Sequence, residues 1–283
     1  MHGYREALAV GAQRINAVCN AISGKEPAVA ALLHEYDRGR LRLLIATATD
    51  VEDRILKEVF EKEQMHIIHS DFSGRSSIRY LGLHGGVNVH HVRSSAGGAG
   101  PSGAQAVVGE VIQRLRPNMI VSCGICAGLK PDKQRLGEIV VSTVVRHYEA
   151  QRVNEGLRDT PRGSRPDASP LLLDRVRDLL LYWNHCTVHQ GIVMFGDKLV
   201  DNRNFRARLL RIEPEALACE MEGAGITSEA ERHKVEWLIV KGICDFAAAK
   251  TKDQQGHAAG NAFSLLAALI KRGGLNATEV LRP

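Results

Sequence analysis

Short apolar runs alternate with amphipathic segments along the chain from residue 41 onward. Brief runs rich in Val, Ile and Leu are typical of buried strands, whereas apolar residues three and four apart are typical of helices packed on a sheet. The predicted strands are 41–46, two or three short strands between 65 and 95, 119–122, 138–142, 188–195, 216–219 and 236–243. The predicted helices are 50–63, 104–115, one that begins at Ser169 and Pro170, 202–211, 223–232 and 254–270. Strands alternating with helices predict an α/β fold of three layers, α/β/α, with a mixed central sheet.

Two segments fall outside this pattern. Residues 4–21 and 27–36 carry helix-period apolar positions, which predicts an N-terminal helical extension over 1–40, followed by one domain over 41–273 and a tail over 274–283. The stretch 154–167 is rich in Gly, Arg, Pro and Asp and has no periodicity, so we expect a long surface loop there.

The composition narrows the class of protein. The chain has 283 residues, 44% of them hydrophobic, and a formal net charge of +5. Its Lys and Arg residues are dispersed, so nucleic-acid binding is not indicated, and an anionic small substrate fits the charge equally well. The N-terminal residues lack a signal-peptide core, and no apolar stretch approaches the roughly 18 residues of a membrane span, which predicts a cytoplasmic protein.

Six scattered cysteines favour buried reduced thiols over a disulfide framework. One pair, Cys123 and Cys126, has the C-x-x-C spacing of redox and zinc sites. A zinc site needs two further ligands at a matching spacing, and no second C-x-x-C or H-x-x-x-H lies nearby. We therefore expect no metal and no redox chemistry at this pair.

Two acidic motifs stand where apolar runs stop. Glu220-Met221-Glu222 follows one run, and Cys244-Asp245 follows another. Both place carboxylates at strand ends, where open α/β sheets bind their ligands. A carboxylate in an apolar crevice suits general acid catalysis or sugar binding. The alternative is that these acids favour helix N-termini through the helix dipole.

A glycine-rich segment, 97–103, leads into the predicted helix 104–115. It contains G-x-G-x-x-G, but a dinucleotide-binding fold also has an acidic residue about 20 positions further on, and 121–124 has none. A nicotinamide or flavin cofactor is therefore not expected. The turn is either a cradle for an anion or hydroxyl group, or a turn whose glycines serve packing alone.

Taken in chain order, five segments resemble the nucleoside phosphorylase/nucleosidase superfamily, most closely its hydrolytic branch typified by methylthioadenosine/S-adenosylhomocysteine nucleosidase. The segments are Thr49-Asp50-Val51-Glu52, the glycine turn, 123–129, 136–141, and 220–224 together with 242–245. The resemblance covers residues 41 to 270 and implies a phosphorylase/hydrolase-like fold. It also implies a homo-oligomer, at least a dimer, that needs no cofactor.

The resemblance further implies a purine N-ribosidase and assigns its site. Asp245 would protonate N7 of the departing base, Glu52 would activate water, Glu222 would bind the ribose hydroxyls and Met221 would pack on the sugar. The other implied pocket residues are Glu220, Cys126, Ala127, Gly128, Leu199, Val200, Cys244 and Arg93. Two positions depart from the family pattern, because Cys244 replaces a serine and Leu199 stands where an aromatic residue stacks on the base.

The nucleophile and the substrate are open at this point. Phosphate as a nucleophile needs cationic partners, and acidic or neutral residues, 50–53 and 121–123, stand where phosphorylases carry arginines. Hydrolysis is therefore favoured, although Arg93 remains available for phosphate. Arg93, Lys130, Lys133 and 250–252 could receive a 5′-phosphate, which makes nucleotides an alternative to thioether nucleosides. Similar domains act as nucleotide-depleting effectors in bacterial defence, and a non-catalytic nucleotide sensor is the alternative of another class.

Overall fold

Strands and helices alternate along the part of the chain that the computed structural model describes, residues 41–152, 154–155 and 160–275. The strands are β1 (Arg42–Thr47), β2 (His69–Asp71), β3 (Ile78–His84), β4 (Val87–Arg93), β5 (Met119–Gly128), β6 (Ile139–His147), β7 (Gln151–Arg152), β8 (Thr160–Pro161), β9 (Val188–Phe195), β10 (Ala216–Glu220) and β11 (Glu236–Asp245). The helices are α1 (Asp50–Lys62), α2 (Ala104–Leu115), α3 (Pro170–Leu180), α4 (Arg203–Ile212), α5 (Gly223–His233) and α6 (Gln255–Lys271). None of these helices is long and apolar enough to cross a membrane. The two helices predicted within 4–36 lie outside the described residues.

The predicted elements are confirmed, with two strands clearly longer than predicted. The strand expected over 138–142 continues to His147. The strand expected over 119–122 continues to Gly128, because Cys123 and Gly124 keep extended pairing with β11 instead of forming a turn. The segment expected to be a surface loop also differs in part. Its residues 160–161 form β8, which pairs with β7, and Asp167 forms a bridge to Val144.

Nine strands form one mixed sheet in the order β10-β9-β6-β11-β5-β1-β4-β3-β2. β10 pairs with β9 and also with β5, so β5, β11, β6, β9 and β10 close into a ring. One buried side chain from each strand of this ring packs into a small cluster. The five are Cys126, Val140, Val193, Ala218 and Ile243.

Helices cover both faces of the sheet. The Ile239 side chain of β11 reaches the start of α5, 3.1 Å from where a Cβ on Gly223 would lie. Three residues on, a Cβ on Gly242 would lie 2.0 Å from the carbonyl oxygen of Ala258 in α6. Residues three apart in a strand point to opposite faces, so α5 and α6 lie on different sides of β11. The predicted three-layer α/β/α arrangement with a mixed sheet is therefore confirmed.

Candidate active site

Glu52 is fixed at the first turn of α1, directly after β1 ends. Thr49 caps this helix, and its side chain accepts a hydrogen bond from the Glu52 N–H in a reciprocal capping box. Glu52 Oε2 accepts hydrogen bonds from the N–H groups of Ala48 and Thr49, each at 2.9 Å, and Oε1 accepts one from Ile125 at 2.8 Å. Three backbone donors therefore hold this buried carboxylate in one orientation.

Gly124 of β5 provides the space that the Glu52 carboxylate occupies. A Cβ atom on residue 124 would lie 1.7 Å from Glu52 Oε1, so no other residue fits without moving Glu52. Gly124 also pairs in register with Lys241 of β11. Neighbouring residues on paired strands share a face, so Glu52 lies over the strand pair β5–β11 beside Lys241.

Lys241 is the one buried lysine of the described residues and lies among three carboxylates. Its side chain is 1% exposed, and its Nζ lies 3.9 Å from Glu52 Oε1, 3.7 Å from Glu220 Oε2 and 3.6 Å from Glu222 Oε2. Burial alone disfavours the ammonium, but the three carboxylates outweigh it and raise the pKa of Lys241, so the residue stays charged. Sequence reasoning missed this residue, although a lysine inside the apolar run 237–243 is the kind of signal that marks a buried partnered charge.

Glu220 and Glu222 reach this lysine from the end of β10. Glu220 accepts hydrogen bonds from the N–H groups of Gly223 at 2.7 Å and Glu222 at 3.2 Å, at the first residues of α5. Burial raises the pKa of Glu220 to about 7, with Lys241 opposing and Glu222 adding to that rise. Glu52, Glu220, Glu222 and Lys241 together form what we term the acidic cluster, with three carboxylates for one ammonium.

The glycine turn binds two of the protein's own carboxylates. The Gly97 N–H donates to Glu222 Oε1 at 3.0 Å, and the Gly98 N–H donates to Asp197 Oδ1 at 2.7 Å. Both carboxylates belong to the protein itself, one just after β10 and the other after β9, so a cradle for a ligand at this turn stays a prediction. Gly97 thus holds one oxygen of the Glu222 carboxylate, and Lys241 lies beside the other.

Asp245 ends β11 beyond a shift in register, with Ala127 of β5 as its strand neighbour. Ala127 also pairs with Cys219 of β10. β5 is therefore the one strand between β10 and β11, whose ends carry the two acidic motifs. Asp245 Oδ1 accepts a hydrogen bond from the Ala247 N–H at 2.8 Å, and the Cys244 thiol lies 3.3 Å from Oδ2. The carboxylate is 8% exposed, so it lies in a largely dry environment suited to proton transfer.

Four other predicted pocket residues surround these groups in different ways. Ala127 and Val200 share a buried apolar cluster with Ala247, next to Asp245. The Cys126 side chain packs inside the strand ring, which leaves only its backbone for a ligand. Gly128 makes room for the Phe246 ring, which lies 2.8 Å from the position of a Cβ.

The last three predicted residues lie toward the surface or the glycine turn. Met221 is half-buried, with its carbonyl oxygen 3.6 Å from the Cβ position of Gly98. Leu199 is 71% exposed, so within this chain it does not join the buried groups. Arg93 pairs with Asp50 and lies 3.8 Å from Asp53 of α1.

The C-x-x-C pair lies within β5. Burial raises the pKa of both thiols, Cys123 and Cys126, which keeps them protonated and unreactive. Residues three apart in a strand point to opposite faces, so these side chains do not converge on one metal ion. Within 41–152, 154–155 and 160–275 no group of three or more His, Cys, Asp or Glu residues is arranged to hold a metal.

Sequence comparisons identify relatives of this chain. The family model described as "Phosphorylase superfamily" matches residues 42–271. A death domain-containing ATP nucleosidase from Amphimedon queenslandica is 27% identical over 238 residues, which cover 74% of this chain and 44% of that protein. A 5′-methylthioadenosine/S-adenosylhomocysteine nucleosidase from Maridesulfovibrio salexigens is 28% identical over 141 residues, 48% of this chain and 59% of that protein. The match thus spans about half the length of each relative.

Solved structures share the fold at lower identity. The 5′-methylthioadenosine/S-adenosylhomocysteine nucleosidase of Neisseria meningitidis, in complex with methylthio-immucillin-A, superposes with a TM-score of 0.69 at 21% identity, covering 81% of this chain and 98% of that structure. Futalosine hydrolase of Helicobacter pylori superposes with a TM-score of 0.69 at 15% identity, covering 81% and 97%. At these identities the similarity establishes the fold.

Proposed function

Because the chain belongs to the phosphorylase superfamily, we propose that it is an N-glycosidase that hydrolyses purine nucleosides or nucleotides and releases the free base, most readily adenine. The observation that carries this proposal is the acidic cluster. Glu52, Glu220 and Glu222 converge on Lys241. Asp245 lies at the end of β11, which is separated from β10 by β5 alone. The names of the relatives, ATP nucleosidase and methylthioadenosine/S-adenosylhomocysteine nucleosidase, support the same reaction class.

The proposed reaction divides the work among three carboxyl groups. Glu222 accepts hydrogen bonds from the ribose hydroxyls and so fixes the sugar. Glu52 takes a proton from a water molecule whose oxygen bonds to C1′ of the ribose as the C1′–N9 bond breaks. Protonated Asp245 gives its proton to N7, so that the base leaves as a neutral molecule. The sugar passes through a state with oxocarbenium character, which nearby carboxylates stabilise.

Lys241 sets the electrostatics of this site. Two neighbouring carboxylates without a counter-charge would share a proton, and Glu52 could then not accept one from water. The buried ammonium supplies this counter-charge, 3.9 Å from Glu52 Oε1 and 3.6 Å from Glu222 Oε2. Lys241 Nζ makes no hydrogen bond to any described residue, so its interaction with the three carboxylates is one of charge at 3.6–3.9 Å.

Asp245 must hold a proton at the start of the reaction. The Asp245 side chain is buried, and its neighbour Ala247 lies in a buried apolar cluster, so little water surrounds this carboxyl group. Proton donation from a positioned acid contributes about 10²–10⁴-fold to a rate. The remaining acceleration comes from fixing the sugar and water in place.

Water is favoured over phosphate as the nucleophile because of the position of Arg93. Its guanidinium pairs with Asp50 and Asp53 of α1, which already neutralise its charge. Phosphate at this position would meet two carboxylates as well as the arginine. This arrangement supports hydrolysis over phosphorolysis.

We place the enzyme in the cytoplasm as a homo-oligomer. Its buried thiols Cys123, Cys126, Cys219 and Cys244 are all unpaired, which fits a reducing compartment. The exposed Leu199 lies at the position assigned to base stacking, and a second copy of the chain could cover it. Analytical ultracentrifugation would measure the assembly state.

The test is product analysis with a panel of substrates. Purified protein is incubated with adenosine, inosine, methylthioadenosine, AMP and ATP, with and without inorganic phosphate, and the products are separated by chromatography. We expect free base in phosphate-free buffer. Ribose 1-phosphate formed only with phosphate would indicate a phosphorylase, and ligand binding without base release would indicate a sensor.

A further inference from the structure

The loop after β11 folds back on the strand end at the expense of backbone strain. Ala247 and Ala249 both have φ of 53°, a left-handed conformation that residues other than glycine rarely adopt. Such residues persist where their surroundings fix them, and they cluster at functional sites.

Three hydrogen bonds connect this loop to residues in the first turn of α4 and just before it. The Asn202 N–H donates to the Ala247 carbonyl at 2.7 Å, and Arg206 donates to the Phe246 carbonyl at 2.8 Å. The Lys250 N–H donates to Asp201 Oδ1 at 3.3 Å. These hydrogen bonds hold the segment that carries the Lys250 side chain.

Lys250 pairs with the group assigned as the general acid. Its Nζ lies 3.2 Å from Asp245 Oδ2, with the lysine side chain 22% exposed and that of Asp245 8% exposed. We propose that Lys250 selects 5′-phosphorylated purine nucleotides over nucleosides, because it exchanges the Asp245 carboxylate for the 5′-phosphate when substrate binds. This inference rests on the proposed function and specifies its substrate class.

The reason is a conflict of charge. In the structure the Lys250 ammonium lies against Asp245 Oδ2, whereas the proposed reaction needs this carboxyl group protonated and facing N7 of the base. Once Asp245 takes up a proton, Lys250 loses its counter-ion in a half-buried position. A phosphate dianion supplies a replacement, whereas a nucleoside supplies none. A nucleotide therefore releases Asp245 from Lys250, and a nucleoside leaves the ion pair intact.

Other cations near the proposed pocket lack this property. Arg93 pairs with Asp50, Lys198 pairs with Glu149, and Lys130 lies 4.0 Å from Glu215. The carboxylates in those pairs have no role in the proposed reaction, so no step of it separates them from their partners. Lys250 differs because its counter-ion is the group that must be neutralised.

The position also suits the shape of a nucleotide. In the anti conformer the N7–C8 edge of a purine faces the 5′ oxygen of the ribose. Asp245 is proposed to meet N7, so Lys250 beside it lies on the side of the sugar that carries the 5′-phosphate. A lysine ammonium binds phosphate as a mobile point charge, which a flexible side chain can carry from one anion to another.

Kinetics with paired substrates test this inference. We compare kcat/KM for AMP and adenosine in the wild type, Lys250→Met, Lys250→Arg and Lys62→Met. Lys62 is exposed in the last turn of α1, away from the assigned site, so Lys62→Met makes the same change of charge as a control. We expect Lys250→Met to lower kcat/KM for AMP at least about tenfold while that for adenosine stays the same or rises. Lys250→Arg should retain the preference for AMP, and Lys62→Met should match the wild type.

Binding of analogues that are not hydrolysed separates this inference from the proposed reaction. Formycin A and its 5′-monophosphate have a carbon–carbon glycosidic bond, and calorimetry gives their Kd for each variant. The inference is supported if the wild type binds the monophosphate more tightly than formycin A and Lys250→Met loses this difference. That support holds even if the wild type releases no base. Absence of base release would contradict only the proposed hydrolase activity. Equal binding of the monophosphate by wild type and Lys250→Met, or an equal loss of kcat/KM for AMP and adenosine, overturns the inference.

Discussion

Gly124 and Glu52 fit so closely that a Cβ atom on residue 124 would lie 1.7 Å from Glu52 Oε1. The carboxylate cannot simply rotate away, because the N–H groups of Ala48, Thr49 and Ile125 hold it. The position of the proposed water-activating group thus depends on the absence of a side chain on the neighbouring strand.

Gly124→Ala is expected to displace Glu52 and disrupt the first turn of α1. We expect a loss of about 1–3 kcal/mol in the free energy of unfolding, because buried hydrogen bonds break, and a larger loss of base release. Denaturant unfolding and an activity assay measure the two effects. Gly260→Ala, in the middle of α6, is the matched control. A Cβ on residue 260 would make an ordinary 3.9 Å contact with Ile55 of α1. If both variants behave alike, Gly124 does not position Glu52.

Asp245→Asn is expected to abolish base release while the fold is retained. An amide cannot donate a proton to N7 in the way a carboxylic acid does, so the rate should fall by about 10²–10⁴-fold. Chromatography of the released base measures this, and circular dichroism monitors the fold. Asp253→Asn, an exposed position, serves as the control. Turnover near the wild-type rate in Asp245→Asn would remove the general-acid assignment.

Lys241→Met is expected to destabilise the protein strongly. The substitution leaves Glu52, Glu220 and Glu222 buried without a counter-charge, which typically costs about 3–5 kcal/mol. The free energy of unfolding near pH 8 measures it, and the loss should shrink at lower pH, where the carboxylates take up protons. Lys271→Met removes a lysine that is 49% exposed and should cost less than about 1 kcal/mol. A Lys241→Met variant as stable as the wild type would refute the electrostatic role of this residue.

Glu220 should make stability depend on pH. Its pKa rises from 4.5 to about 7 in the folded protein, so the folded state binds this proton more tightly than the unfolded state. Its stabilising contribution is complete below about pH 4.5 and is lost as the pH rises through about 7. In that window the wild type should lose roughly 1 kcal/mol per pH unit relative to Glu220→Gln.

Thermal or denaturant unfolding of both proteins from pH 4.5 to pH 8 measures that difference. Glu61→Gln, at an exposed position of α1, should run parallel to the wild type. A constant gap between wild type and Glu220→Gln across this range would show that Glu220 titrates normally.

Local patterns were enough to predict most elements. The run 188–195 and the helix 104–115 were predicted at the bounds that β9 and α2 have in the structure. Each is a continuous pattern bounded by turn-forming or capping residues, so nearby sequence determines where it begins and ends. The acidic motifs were likewise placed at strand ends, where Glu220 and Asp245 lie.

The rest depends on contacts between distant segments. The strand predicted to stop at residue 122 continues because it stays paired with β11, and there Gly124 makes room for Glu52, which is 72 positions earlier. Neither contact leaves a local signature in the sequence. Lys241 likewise acquires its role from carboxylates on two other segments, and the ring closes only through the β5–β10 pairing. A single sequence cannot show that such residues meet.

The central claim is that Glu222 and Asp245 act on one nucleoside, and a crystal structure with formycin A tests it most directly. This analogue carries the purine-like base and ribose but has no bond that the enzyme can hydrolyse. We predict that the Glu222 carboxylate binds the ribose hydroxyls while Asp245 meets the N7 edge of the base in the same molecule. A complex in which the two carboxylates face separate cavities, with no ligand in contact with both, would contradict the account.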